Sequence, residues 1–194
     1  MEHTGIVLKT FFSKKRKMIV LDEYHGKIEV APSHDHYILG SLLSYTNLVR
    51  SSTIYFLSQA TIIDMPLRLA KDDILFLHHV LEICYFCAPF EKNNSEIFAL
   101  ILQLYKSHIN NDQFKIAFLF KLLILLGMHP HEPLFHDSYY YLLSQESIDT
   151  IMSKSIHLDT KQALYQWVYS CMAGHPLMHV FKTMHFLDND RFTI

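Results

Sequence analysis

Thr4–Val30 reads TGIVLKTFFSKKRKMIVLDEYHGKIEV, and its reading decides how the chain is organised. Ile6 and Leu8 alternate with Val7 and Lys9, Met18, Val20 and Leu21 begin a second apolar run, and Ile28 and Val30 alternate with Lys27 and Glu29. Short β-rich runs divided by turn residues predict an antiparallel meander. Between the first two runs lies Ser13-Lys14-Lys15-Arg16-Lys17, too charged to bury without counter-ions, so it is expected as a solvated turn or strand end that projects cations. Gly26, after Tyr24-His25, supplies the positive φ that a tight turn needs.

Working outward, Ala31-Pro32-Ser33-His34-Asp35-His36 is rich in turn residues and Tyr37–Leu43 follows it. Tyr45–Val49 and Thr53–Leu57 are β-leaning runs separated by Arg50-Ser51-Ser52, and Ala60–Met65 is another. Five short strands in roughly the first 65 residues predict a small closed or nearly closed barrel, which removes exposed strand edges; the OB-fold is the commonest such barrel. From Leu67 the period changes to that of helices. Asp72-Asp73 precedes Ile74, Leu75, Leu77, Val80, Leu81, Cys84 and Tyr85 at helical spacing, with Pro89 and Asn93-Asn94 ending the run. Further helices are expected from Ser95 through Tyr105, over Gln113–Leu126, over Lys161–Ala173, and from Leu177 to Leu187 behind Pro176. The expected fold is therefore α+β, with a five-stranded OB-fold barrel over residues 1–68 and an all-α helical domain over 69–194.

With 194 residues and 50% apolar content, the chain has ample material for a packed core. A formal net charge of -2 and a pI near 6.7 exclude a uniformly basic nucleic-acid binder. Charge is nevertheless uneven: Lys9, Lys14, Lys15, Arg16, Lys17 and Lys27 face only Asp22, Glu23 and Glu29 within Thr4–Val30, so any anion-binding face is local. Three cysteines, Cys84, Cys87 and Cys171, are too few for a disulfide framework and fit a reducing compartment, with the cytoplasm as the default. The first residues lack the charged start and apolar middle of a signal peptide. Ile116–Leu126, interrupted by Lys121, falls short of the ~20 residues of a membrane helix and is expected as a core helix.

Lys9, Lys14, Lys15, Arg16, Lys17 and Lys27 are the candidate DNA-binding residues, tracking phosphates while Phe11, Phe12 and Tyr24 offer stacking faces. The competing reading is a solvated hairpin end with Phe11 or Phe12 in the core. His129, His131 and His136, with Asp137, are possible zinc donors, but they lie in an irregular stretch without a finger frame, and no metal site is assigned. Cys84-Tyr85-Phe86-Cys87 has redox spacing within an apolar helix, where inert buried thiols are expected. No Gly-rich phosphate loop, Ser-His-Asp pattern or paired-carboxylate motif stands out, so neither a catalytic site nor a cofactor is expected.

In order and spacing the chain resembles the RecO family of recombinational DNA-repair proteins. Gly5-Ile6-Val7-Leu8-Lys9-Thr10 matches the family's opening strand, and Ile19-Val20 with His25-Gly26-Lys27 its second strand and turn. Phe114 through Leu125-Leu126-Gly127 with Pro130, then Phe181-Lys182-Thr183 and Phe186-Leu187, resemble its later helices. The resemblance implies an N-terminal OB-fold followed by a helical domain. It also implies a non-enzymatic protein that binds single-stranded DNA, anneals complementary strands and works with RecR to help RecA replace single-strand-binding protein. Two features depart from the family: Pro32–His36 stands where a Lys/Arg-rich loop is usual, and no four-cysteine zinc site follows Gly127. A protein adaptor with little DNA binding of its own is the alternative reading.

Overall fold

The computed structural model describes residues 2–11, 17–32, 37–106, 111–128, 147–153, 158–184 and 187. They fall into two compact units, Met1–Ser107 and His108–Ile194, so the first two helices group with the strands even though the period changes at Leu67. The architecture is α+β, strands first and helices after.

The first unit contains seven strand segments where five were expected: β1 (His3–Phe11), β2 (Lys17–Asp22), β3 (Gly26–Ala31), β4 (Leu42–Tyr45), β5 (Asn47–Ser51), β6 (Ile54–Ser58) and β7 (Thr61–Asp64). They form one mixed sheet in the order β5-β6-β3-β2-β1-β4-β7. Among the described strands β3 and β6 are the parallel pair, through Val30↔Tyr55 and Ala31↔Phe56. Among the described residues no ladder joins β5 to β7, so the sheet is open and the expected barrel closure is not found. The count rises because two long runs bend. Thr46 alone separates β4 from β5, and Gln59, with φ of 53°, and Ala60 separate β6 from β7. The Thr46 hydroxyl donates to Gln59 Oε1 at 2.7 Å, tying one bend to the other.

Met18-Ile19-Val20-Leu21 shows no polar alternation because both faces of β2 are buried. Met18 and Val20 join Val7, Ile28, Val30, Tyr37, Leu43, Tyr45, Tyr55 and Leu57 in one core. Ile19 and Leu21 point the other way and are buried as well, together with Ile6 and Leu8 of β1. Helix α1 (Leu67–Cys87) packs against β1.

The β2–β3 turn is fixed by one buried side chain. Asp22 Oδ1 accepts hydrogen bonds from the backbone N–H of Tyr24, at 2.9 Å, and of His25, at 2.7 Å, an Asx-type arrangement that lets the chain reverse within three residues. Gly26 completes the turn at φ of 70°. A Cβ there would sit 1.8 Å from the carbonyl oxygen of Lys92, so the position admits glycine alone.

Asp72-Asp73, expected at the start of α1, instead falls inside it. Asp73 departs from helical geometry at φ -155°, ψ 86°, and its carboxylate caps the N–H of Phe76 at 3.0 Å. The acid thus does open a helix, the segment after a kink. In the last turn of helix α2 (Ser95–Lys106) the Tyr105 hydroxyl donates to the Gly40 carbonyl at 2.6 Å.

In the second unit α3 (Asp112–Leu125) starts at Asn111, whose side chain caps Phe114 N–H at 2.8 Å. It is buried almost all round, as its apolar run predicts, and packs on α4 (Ile148–Ser153) and α5 (Leu158–Ala173). Over the described residues 177–184 the expected helix Leu177–Leu187 is not formed. A single 3-10 turn spans Met178–Val180, and Phe181 is extended at ψ 121°. Leu177, Met178 and Val180 are exposed while Phe181, Thr183 and Met184 are buried, a pattern that no single helical face satisfies.

Candidate nucleic-acid interface

Of the six cations read as phosphate contacts, Lys14, Lys15 and Arg16 lie outside the described residues, as do Phe12 and the histidines His129, His131 and His136. The structure places Lys9, Lys17 and Lys27 on three neighbouring strands, and each is engaged in a different kind of contact.

Lys27 does not fit the phosphate role. Its side chain is 3% exposed, and Nζ donates to the backbone carbonyl of Tyr85 at 2.7 Å. Tyr85 lies in the last turn of α1, where carbonyls lack intrahelical partners and the helix dipole is negative. The ammonium also stands 4.4 Å from the ring centroid of Phe90. Desolvation by burial lowers its pKa from the ordinary value of 10.5, partly offset by the neighbouring thiols of Cys87 and Cys84. Lys27 is thus a docking residue that ties β3 to the end of α1. The signal that it turns inward is the buried, unalternating β2 beside it, which requires a cover on the outer face.

Lys17 pairs with Glu29 across the sheet, both about one-third exposed, so a phosphate would have to compete with that carboxylate. Lys9 remains half-buried, its Nζ 4.2 Å from the centroid of Tyr85 and 5.3 Å from that of Phe11. Cation–π contact leaves the positive charge in place while fixing its position. Phe11 and Tyr24 present exposed faces, at 37% and 50%.

The bent hairpin adds groups that the sequence reading passed over. Arg50 of β5 is half-exposed, lies 5.5 Å over the ring of Tyr55 and pairs with Glu91 at 3.0 Å. Val49 and Phe56 face each other across β5 and β6 and are both exposed. Strict alternation in Ile54-Tyr55-Phe56-Leu57 would have found Phe56, because Tyr55 and Leu57 belong to the core and Phe56 must then point outward.

Cys84 and Cys87 sit beside Lys27, and neither is in a disulfide. Burial raises Cys84 far above its ordinary 9.0 and pushes Cys87 up to about 11, so neither is a ready nucleophile. No helix among the described residues is long and apolar enough to cross a membrane. No protein-family model matches this chain, and no curated protein matches it.

Proposed function

We propose that the chain is a RecO-like, non-catalytic DNA-repair protein that binds single-stranded DNA at the far end of the β1–β2 pair. The observation that carries this reading is the strand pairing. With β4 and β5 counted as one bent strand and β6 and β7 as another, the neighbours run first, second, third, fifth, fourth and back to the first. A five-stranded Greek-key barrel has this neighbour order, and the shared core of β1, β2, β3, β4 and β6, with Leu48 of β5 packed against it, supports the reading. In OB-folds the connections between the first and second strands and between the fourth and fifth border the oligonucleotide site. Here those connections are Phe12–Arg16, with three cations, and the Ser51–Thr53 turn beside Arg50.

The proposed interface comprises Lys9, Phe11, Lys14, Lys15, Arg16 and Lys17, without Lys27. Phosphate neutralisation would supply the affinity and aromatic stacking would tolerate any sequence, so that complementary strands held on one surface lose their mutual repulsion. RecR, single-strand-binding protein and, indirectly, RecA are the proposed partners. The test is anisotropy of a labelled single-stranded oligonucleotide across a salt series. Lys14, Lys15, Arg16 and Lys17 replaced together by Ala should weaken binding at least tenfold at low salt and flatten the salt slope. An unchanged slope would overturn the site. The adaptor reading is favoured by one observation, the engagement of Lys27 and Lys17 within the protein. Absent DNA binding with retained capture of RecR would select it.

A further inference from the structure

Three potential metal donors meet at the closed end of the β2–β3 turn, on the opposite side of β2 from the basic connection. They are His3 at the start of β1, Asp22 at the end of β2 and His25 in the turn, and their ligand atoms all lie within 4.8 Å of one another. His25 Nδ1 is 2.8 Å from Asp22 Oδ1, and His3 Nδ1 is 3.9 Å from Asp22 Oδ2. Zinc with bonds of ~2.1 Å holds tetrahedral ligands about 3.4 Å apart, and the two separations straddle that value.

Two further observations point to a cation. His3 Nδ1 is a buried ring nitrogen without a hydrogen-bond partner, and it faces the carboxylate. Asp22 is wholly buried, yet no lysine or arginine pairs with it among the described residues. Its carboxylate is oriented by the N–H groups of Tyr24 and His25 and by the hydroxyl of Tyr45, the kind of surrounding donor shell that aims a ligating carboxylate. The His3 ring stacks on Tyr45 at 5.7 Å and 6°, which fixes its direction too. The adjacent carboxylate, Glu23, is held by the Thr4 hydroxyl at 2.6 Å.

We infer that His3, Asp22 and His25 form a binding site for a divalent transition-metal ion of the zinc class. The two imidazoles bind through Nδ1 as neutral ligands with the ring proton on Nε2, the Nδ1 proton of His25 exchanging with water as its bond to Asp22 is replaced, and the carboxylate binds through its oxygen facing His3. Water completes the fourth position. The ion clips the start of β1 to the β2–β3 turn. Two nitrogens among three donors select against magnesium, which requires oxygen ligands. The site stands apart from the proposed DNA interface and does not depend on that reading.

The test is chelator-competed titration of the full chain with Zn2+ alone, with Mg2+ as competitor. One ion per chain is expected, bound below about 1 µM and unaffected by excess Mg2+. His3→Gln with His25→Gln should weaken it about 100-fold or more, and Tyr45→Phe about tenfold. His129→Gln, His131→Gln and His136→Gln together should leave it unchanged. If the double variant does not fold, His25→Gln alone is read, since that ring is 39% exposed. Absence of stoichiometric zinc, displacement by Mg2+, indifference to the His25 substitution, or loss in the triple variant would each overturn the site.

Discussion

The two compact units solve the same packing problem with different materials. Around α3 the second unit is apolar: Phe114, Ile116, Phe118, Leu119, Phe120, Leu122 and Leu123 are buried, and Phe120 meets Trp167 edge-on at 4.8 Å. The first unit sets polar side chains into its interior, with Asp22, Lys27, Ser41 and His79 all buried. A helix core of this kind depends on volume and pattern. The sheet unit depends in addition on single polar contacts that fix where strands turn and where α1 docks. Substitutions should therefore fail by different rules in the two units.

The largest effect is expected in the second unit. Phe120→Ala removes a wholly buried ring and should cost about 4 kcal/mol, read in urea by the fluorescence of the sole tryptophan, Trp167. A cost under about 1 kcal/mol would break the claim that α3 organises that core. Gly26→Ala comes next. It adds a single methyl group, yet the left-handed backbone and the Lys92 carbonyl should make it cost about 3 kcal/mol, measured by the far-UV circular dichroism melt. Lys27→Met keeps the stem but leaves the Tyr85 carbonyl without its donor. Relief of ammonium desolvation offsets part of that loss, so about 1 kcal/mol is expected with DNA affinity unchanged. A fall in DNA affinity would return Lys27 to the interface.

The smallest expected effect is on pH dependence. Burial raises the Cys84 thiol, Cys87 to about 11 and Cys171 to about 12, against an ordinary 9.0. The unfolded chain therefore loses these protons first, and stability present below pH 9 declines as pH rises. At pH 8.5 the three together should cost about 0.5 kcal/mol relative to pH 7. Lys27 works in the opposite direction. Its folded pKa is depressed, so the unfolded state holds the extra proton and stability is regained as pH climbs toward 10.5. Lys27→Met should therefore steepen the alkaline loss, as parallel urea titrations would record.

What the sequence made legible follows the same division. The α3 run and its Leu125-Leu126-Gly127 stop can be read from pattern alone, because each signal is local. So can the β1–β3 meander and the turn glycine. The breaks near Thr46 and Gln59 show as gaps between the β-leaning runs, but the strand count does not, because β4 (Leu42–Tyr45) forms across the gap between Tyr37–Leu43 and Tyr45–Val49. The inward turn of Lys27 is signalled only indirectly, by the unalternating β2 beside it, because its own acceptor lies 58 residues away and a lysine on an alternating strand looks like any solvated one. Asp22 and His25 looked like turn residues, and His3 carried no signal until β1 brought it beside them.

Burial of its cysteines should make the chain slow toward thiol reagents. A group raised to about 11 leaves about one thiolate in ten thousand at pH 7, and Cys87 is the most accessible of the three cysteines. A single cysteine engineered at Lys14 would therefore take a maleimide fluorophore ahead of every native sulfur. With Trp167 as a native emitter in the other unit, the protein needs no thiol-free background before spectroscopy can follow its basic connection.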